Sequence, residues 1–148
     1  MPHGEIDQSA LNRKNDYLYR ISIKSLIRDD KGRVLVVKES GRTWWDLPGG
    51  GMDHGEDIKA AIARELNEEV NLTGDFKFNV IDVDDPAYLP NANVFQVRLV
   101  FEVAPEIMPY ESGKEADEIM YIDPIALKDS DNAVERKVHE YAYLSHSS

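Results

Sequence analysis

Glu65, Glu68 and Glu69 are spaced so that a helix brings three carboxylates to one edge. Over a helix from about Asp57 to Val70, the residues Ile58, Ile62, Leu66 and Val70 form a slowly drifting apolar stripe, which is the core face. Glu65 and Glu69 fall one turn apart at the border of that stripe, with Glu68 roughly 60° further round on the same side. Like charges so placed oppose each other by about a few tenths of a kcal/mol in water, and by more against a protein wall. A divalent cation reverses that sign. Oxygen ligands with no Cys or His beside them suit magnesium, manganese or calcium better than zinc or copper. A run of glutamates is ordinarily a solvated helix face. Here the charges border the core and follow the break Pro48-Gly49-Gly50-Gly51, whose backbone can approach an ion or ligand closely, and both features argue for a site.

The elements that must position these groups are legible from periodicity. Tyr17, Tyr19, Ile21 and Ile23 alternate with Leu18, Arg20, Ser22 and Lys24, which predicts a half-buried strand running towards Ile27. A turn at Asp29 to Gly32 should let Val34–Val37 pair back as a hairpin. Asp53 and Glu56, with Asp57, mark the start of the carboxylate helix, and Asn71 should end it. After it, Phe76, Phe78 and Val80 alternate before Ile81 and Val83 take the opposite phase, a strand with a bulge or an early end. Pro86 to Asn93 reads as a loop, and Phe95, Val97, Leu99, Phe101 and Val103 as the cleanest strand. A short strand around Glu118 to Ile122 and a final helix from about Asn132 to Leu144 complete the chain. Strands interleaved with two main helices predict a layered α/β or α+β domain.

From Trp45-Asp46-Leu47-Pro48-Gly49-Gly50 the chain continues as Gly50, five residues, Glu56, seven residues, Arg64-Glu65-Leu66, one residue, Glu68-Glu69, one residue, Asn71-Leu72. This segment resembles the Nudix box of the MutT-like Nudix hydrolase family, with Asn71 where the family has glycine. Asparagine also accepts the left-handed conformation that ends a helix, so the substitution keeps the geometry. The resemblance implies an αβα sandwich with a mixed β-sheet between helices. It also implies hydrolysis of a nucleoside diphosphate linked to another moiety: a nucleoside triphosphate, a dinucleoside polyphosphate, a nucleotide sugar or ADP-ribose. By the same likeness Glu65 and Glu69 are primary metal ligands for magnesium or manganese, Glu68 is a further ligand, and the Gly49 carbonyl adds an oxygen. Arg64 and Glu56 are orienting residues, and Gly50 and Gly51 lie against substrate. The base that deprotonates the attacking water is either Glu65 or a carboxylate of the later loop, Glu118 or Glu115, with Glu118 preferred. Tyr88 falls near a tyrosine typical of dinucleoside-polyphosphate hydrolases in the family. A catalytically silent Nudix-like sensor that binds a nucleotide or a protein partner is the alternative.

Composition bounds the partners. With 17 basic and 28 acidic residues the formal net charge is −11, which disfavours a module that coats polymeric nucleic acid. The 148 residues suit one domain over 16–148 behind a flexible tail over 1–15. The absence of cysteine excludes disulfides and thiol chemistry and fits a cytoplasmic setting. No segment reads as membrane-spanning or as a targeting signal, and a homodimer is compatible with the family.

Overall fold

A computed structural model describes residues 17–147, and the tail expected over residues 1–15 lies outside the described residues. The elements in order are β1 (Tyr19–Leu26), β2 (Val34–Glu39), β3 (Gly49–Gly51), α1 (Ile58–Val70), β4 (Phe76–Leu89), β5 (Val94–Pro105), β6 (Ala116–Ile122) and α2 (Ala133–Ser147), with a 3-10 turn at Pro124–Leu127. Four strands form a mixed sheet in the order β3-β1-β5-β4. β1 is parallel to β5 and antiparallel to β3, and β4 is antiparallel to β5. β2 and β6 form a separate antiparallel pair.

Alternation along the strands divides the apolar side chains between two cores. Ile23, Ile27, Leu35, Val37, Phe101 and Val103 pack with Ile62, Leu66 and Val70 of α1. Leu26, Val34, Val36, Leu47 and Val100 pack with Val138, Tyr141 and Ala142 of α2. The strands therefore lie between helices, the expected αβα sandwich. A strand covered on both faces needs no polar side, which is why Val34–Val37 is a continuous aliphatic run and wholly buried.

The caps of α1 are local sequence effects. Asp57 is the N-cap, its side chain accepting from the Ala60 N–H at 2.8 Å. Asp53 and Glu56 close the preceding loop instead, through a 2.8 Å bond from the Asp53 N–H to Glu56 Oε1. Asn71 ends the helix at φ 55°, its N–H donating to the Asn67 carbonyl at 3.1 Å.

Three expectations need correction. The β1–β2 hairpin persists only near its turn, as a bridge between Arg28 and Val34 and a 2.9 Å bond from the Leu35 N–H to the Ile27 carbonyl. Beyond that β2 pairs with β6, a choice of partner that side-chain periodicity does not encode. The loop expected from Pro86 is strand as far as Leu89, because the register shift between Asp84 and Ala87 places Pro86 in a bulge of an edge strand, where no ladder N–H is required. Finally, Tyr17, Tyr19 and Ile21 are exposed. The core over this face of β1 begins at Ile23.

Candidate active site: a carboxylate-walled cleft

A cleft of about 630 Å³ opens on the polar side of the main sheet, within the size range of small-molecule sites. Its floor is the face of β1 and β5 carrying Arg20, Ser22, Lys24, Gln96 and Arg98, the residues that alternate with the apolar ones in sequence. One wall is β3, Gly49 to Gly51, together with Glu65 and Glu69 of α1. Glu39, Asp46 and Glu115 also line it.

Close approach of β3 to β1 depends on Gly49. Its φ is +142°, and a Cβ there would lie 1.9 Å from the Ile23 carbonyl oxygen. The Gly49 N–H donates to Glu69 Oε2 at 2.6 Å. Arg64 then locks loop to helix. Its Nε and Nη2 form a fork on Glu56 at 2.7 and 2.9 Å, Nη2 reaches the Gly51 carbonyl at 3.0 Å, and Nη1 donates to Glu65 Oε1 at 3.0 Å and to Glu68 Oε2 at 3.4 Å. Such bidentate, charge-assisted bonds are among the strongest a side chain makes, and they hold the Arg64 pKa above its ordinary value.

Glu65 and Glu69 are 6% and 2% exposed, so the wheel position at the core edge translates into burial. Burial pushes the Glu69 carboxyl up to about 9, and the charges of Glu39 and Glu65 add to this against the opposing field of Lys24 and the Gly49 N–H. Glu68 is raised as well, first by burial and then by sharing a hydrogen bond with Glu115. Lys24, only 4% exposed, stands among these acids. Its Nζ lies 3.0 Å from Asp46 Oδ2 and 3.7 Å from Glu39 Oε1, and donates to the carbonyls of Leu47 (3.2 Å) and Gly49 (3.3 Å). Burial alone would lower its pKa, but Asp46, Glu39 and Glu69 outweigh that and the net shift is upward.

The donor set fits a hard divalent ion. Glu69 Oε1 is buried with no hydrogen-bond partner, an arrangement that costs stability unless something is bound there. Glu65, Glu68, Glu115 and the Gly49 carbonyl supply further oxygens around it. Among the described residues no three or more Asp, Glu or His side chains stand close enough together to hold a metal ion as they are. Arg64 holds Glu65 and Glu68, and Lys24 holds the Gly49 carbonyl, so a cation bound there would compete with these two residues for the same oxygens.

The structure brings together Glu56, Arg64, Glu65, Glu68, Glu69 and Gly49 to Gly51. Two expected residues lie elsewhere. Glu118 sits within β6 opposite Lys38, exposed and outside the cleft lining, because the strand's ladder with β2 fixes its direction. Glu115, the other candidate, lies on the loop before β6, where its N–H donates to the Glu68 carbonyl at 2.9 Å and it lines the cleft. Tyr88 is 49% exposed, donates its hydroxyl to Asn93 Oδ1 at 2.7 Å and stacks near Phe95, while its neighbour Leu89 faces the cleft. Residues not foreseen are Lys24, Asp46, Arg20 and Arg98. A lysine followed by the apolar run of β1 was the available signal for the first, since a cation inside a buried strand needs paired acids.

Residues 18–142 match the NUDIX domain family, and the chain belongs to that family. Over 55 residues it is 44% identical to the RNA pyrophosphohydrolase of Ruthia magnifica subsp. Calyptogena magnifica, a stretch covering 37% of this chain and 31% of that one. An RNA pyrophosphohydrolase of Vibrio cholerae serotype O1 is 42% identical over 55 residues, 37% of this chain and 32% of its own. The match thus spans about a third of the length of these relatives. Among solved structures, a MutT protein from Methanosarcina mazei Go1 superposes with a TM-score of 0.70 at 23% identity, covering 90% of this chain and 99% of that one. A MutT NUDIX hydrolase from Burkholderia pseudomallei gives 0.64 at 20% identity, covering 84% and 98%. These structures share the fold.

Proposed function

We propose that the protein is a divalent-metal-dependent pyrophosphohydrolase that cleaves a phosphoanhydride bond of a nucleoside diphosphate linked to another moiety. The observation that carries this reading is the buried Glu69 with its unpartnered Oε1, set beside Glu65 and the Gly49–Gly51 strand in a cleft large enough for a nucleotide. A module that only bound a partner would have no use for so destabilising a cluster, which weighs against a silent sensor. Glu65, Glu69 and the Gly49 carbonyl would hold magnesium or manganese, with Glu68 next to them. When bound, such an ion draws charge from phosphate oxygens and acidifies a water. The residues do the rest. The water oxygen forms a bond to phosphorus as the bridging P–O bond breaks, the leaving phosphate keeps the electron pair, and the water's proton passes to Glu65 or Glu115. Arg64 and Glu56 keep α1 and β3 in register while this happens.

The relatives named RNA pyrophosphohydrolases favour a second substrate, the 5′ end of an RNA. The net charge of −11 opposes a long nucleic-acid track but not capture of one end, because Arg20, Lys24, Arg42, Arg98 and Lys114 all line the cleft. Product release from nucleoside triphosphates, diadenosine tetraphosphate, ADP-ribose, a nucleotide sugar and a 5′-triphosphorylated oligoribonucleotide, each with magnesium, manganese or excess chelator, tests the proposal. At least one chelator-sensitive hit is expected. Silence across the panel with magnesium binding intact would turn the reading towards the sensor.

A further inference from the structure

Two arginines on the cleft floor have no role in the carboxylate wall. Arg20 on β1 pairs in register with Gln96 on β5, and Ser22 with Arg98, so the two arginines are diagonal neighbours on one face. Both have a buried Nε without a hydrogen-bond partner. Neither has a carboxylate within ion-pair distance among the described residues, although Arg33, Arg42 and Arg64 all do, at 2.7, 2.6 and 2.7 Å. In a chain with 28 acidic residues, pairing was available and is not made. Two neighbouring guanidiniums with buried, unpartnered Nε atoms leave donors unsatisfied, a cost that an anion removes. Arg98 lies beside the Tyr141 hydroxyl, which donates to Asp84.

Their placement sets what the anion is. Lys24 marks the carboxylate end of the floor, through its bond to the Gly49 carbonyl. Ser22, paired with Arg98, is two residues back along β1 and Arg20 is four, about 7 and 13 Å at the usual strand rise. A single phosphate cannot touch both ends. We infer that Arg20 and Arg98 form a second anion subsite for the phosphates that are not attacked, so that the cleft selects a chain of three or more linked phosphates over a diphosphate bridge. The inference deepens the proposed hydrolase reading and rests on it for the identity of the attacked phosphate. Beyond Arg98 the floor continues into a second hollow of about 540 Å³ that shares Leu89, Gln96 and Arg98 with the first, leaving room for the nucleoside.

The test is equilibrium dialysis, in magnesium, of a methylene-bridged nucleoside triphosphate analogue and of the corresponding diphosphate, against the full chain and Arg20→Gln, Arg20→Lys and Arg98→Gln. Wild type should hold the triphosphate more tightly than the diphosphate. Each Gln variant should weaken the triphosphate by about tenfold to a hundredfold and the diphosphate much less, with Arg20→Lys between. Arg20→Gln carries the result if Arg98→Gln unfolds through loss of its Tyr141 contact. No preference in wild type, or equal binding by wild type and Arg20→Gln, overturns the subsite. If binding falls as stated but no substrate turns over, the subsite stands and the hydrolase reading is what fails.

Discussion

At the scale of residues, the proposed chemistry falls to Glu65 and Glu69, whose type and spacing on one helix edge are what first suggest a metal site. Replacing either with Gln should lower turnover by about two orders of magnitude or more while far-ultraviolet circular dichroism stays unchanged; near-wild-type rates in either variant would remove the carboxylate wall from the mechanism. Glu69 also leaves a signature in stability. Its folded-state pKa of about 9 lies above the ordinary 4.5, so folding takes up a proton between those values. This contribution is fully present below about pH 4.5 and is lost as pH rises through about 9. With chelator present, thermal stability should therefore decline across that window. Glu69→Gln, always neutral, should flatten the decline and raise the midpoint at pH 8 by about 3–6 °C, readable by differential scanning calorimetry. The loop carboxylate is a different matter. The resemblance to the family favoured Glu118, whereas Glu115 faces Glu68 and the cleft. Glu115→Gln should accordingly lower turnover more than Glu118→Gln, and steady-state kinetics showing the reverse order would return the role to Glu118. A shift of three residues between loop and strand cannot be read from composition, because which residue faces inward depends on the register β6 adopts with β2.

Among the elements, α1 is the most legible because everything that defines it is local: the Asp57 cap, the Ile62, Leu66 and Val70 stripe, and the left-handed Asn71. The strands were harder. β4 hides its length behind bulges and a proline, and β1 presents a correct alternation whose apolar half is covered only from Ile23 onward. What sequence could not show at all is how loop meets helix. The Gly113 N–H donates to the Glu69 carbonyl at 2.8 Å, and a Cβ on Gly113 would stand 2.2 Å from the Glu68 carbonyl oxygen. The loop carrying Glu115 is thus docked on the last turn of the carboxylate helix. Gly113→Ala should destabilise the fold by about 1–3 kcal/mol in urea unfolding and reduce turnover as Glu115 is pushed away, whereas unchanged stability would mean that the loop packs more loosely than this contact requires.

For the whole molecule, net charge is a guide to what surrounds the protein and a poor guide to what enters it. An overall −11 coexists with a cleft floor lined by Arg20, Lys24 and Arg98, since alternation gives one strand an apolar face for the core and a cationic face for the ligand. A layered domain was legible because strand runs interleave with two main helices, and the resemblance to the Nudix box implied the sandwich; the cationic floor was not legible, because β1 and β5 are distant in sequence and their register brings the two arginines together. Among the described residues no helix is long and apolar enough to cross a membrane. On the proposed reading, the wall formed by Glu65, Glu69 and the Gly49–Gly51 strand makes this cleft a metal-dependent hydrolase site. Its most direct test is phosphate and nucleotide release from a nucleoside triphosphate and a 5′-triphosphorylated oligoribonucleotide by wild type and Glu69→Gln, with magnesium and with excess chelator. Release by wild type alone, abolished by chelator, is the expected result; release that persists in chelator, or that Glu69→Gln matches, would contradict it.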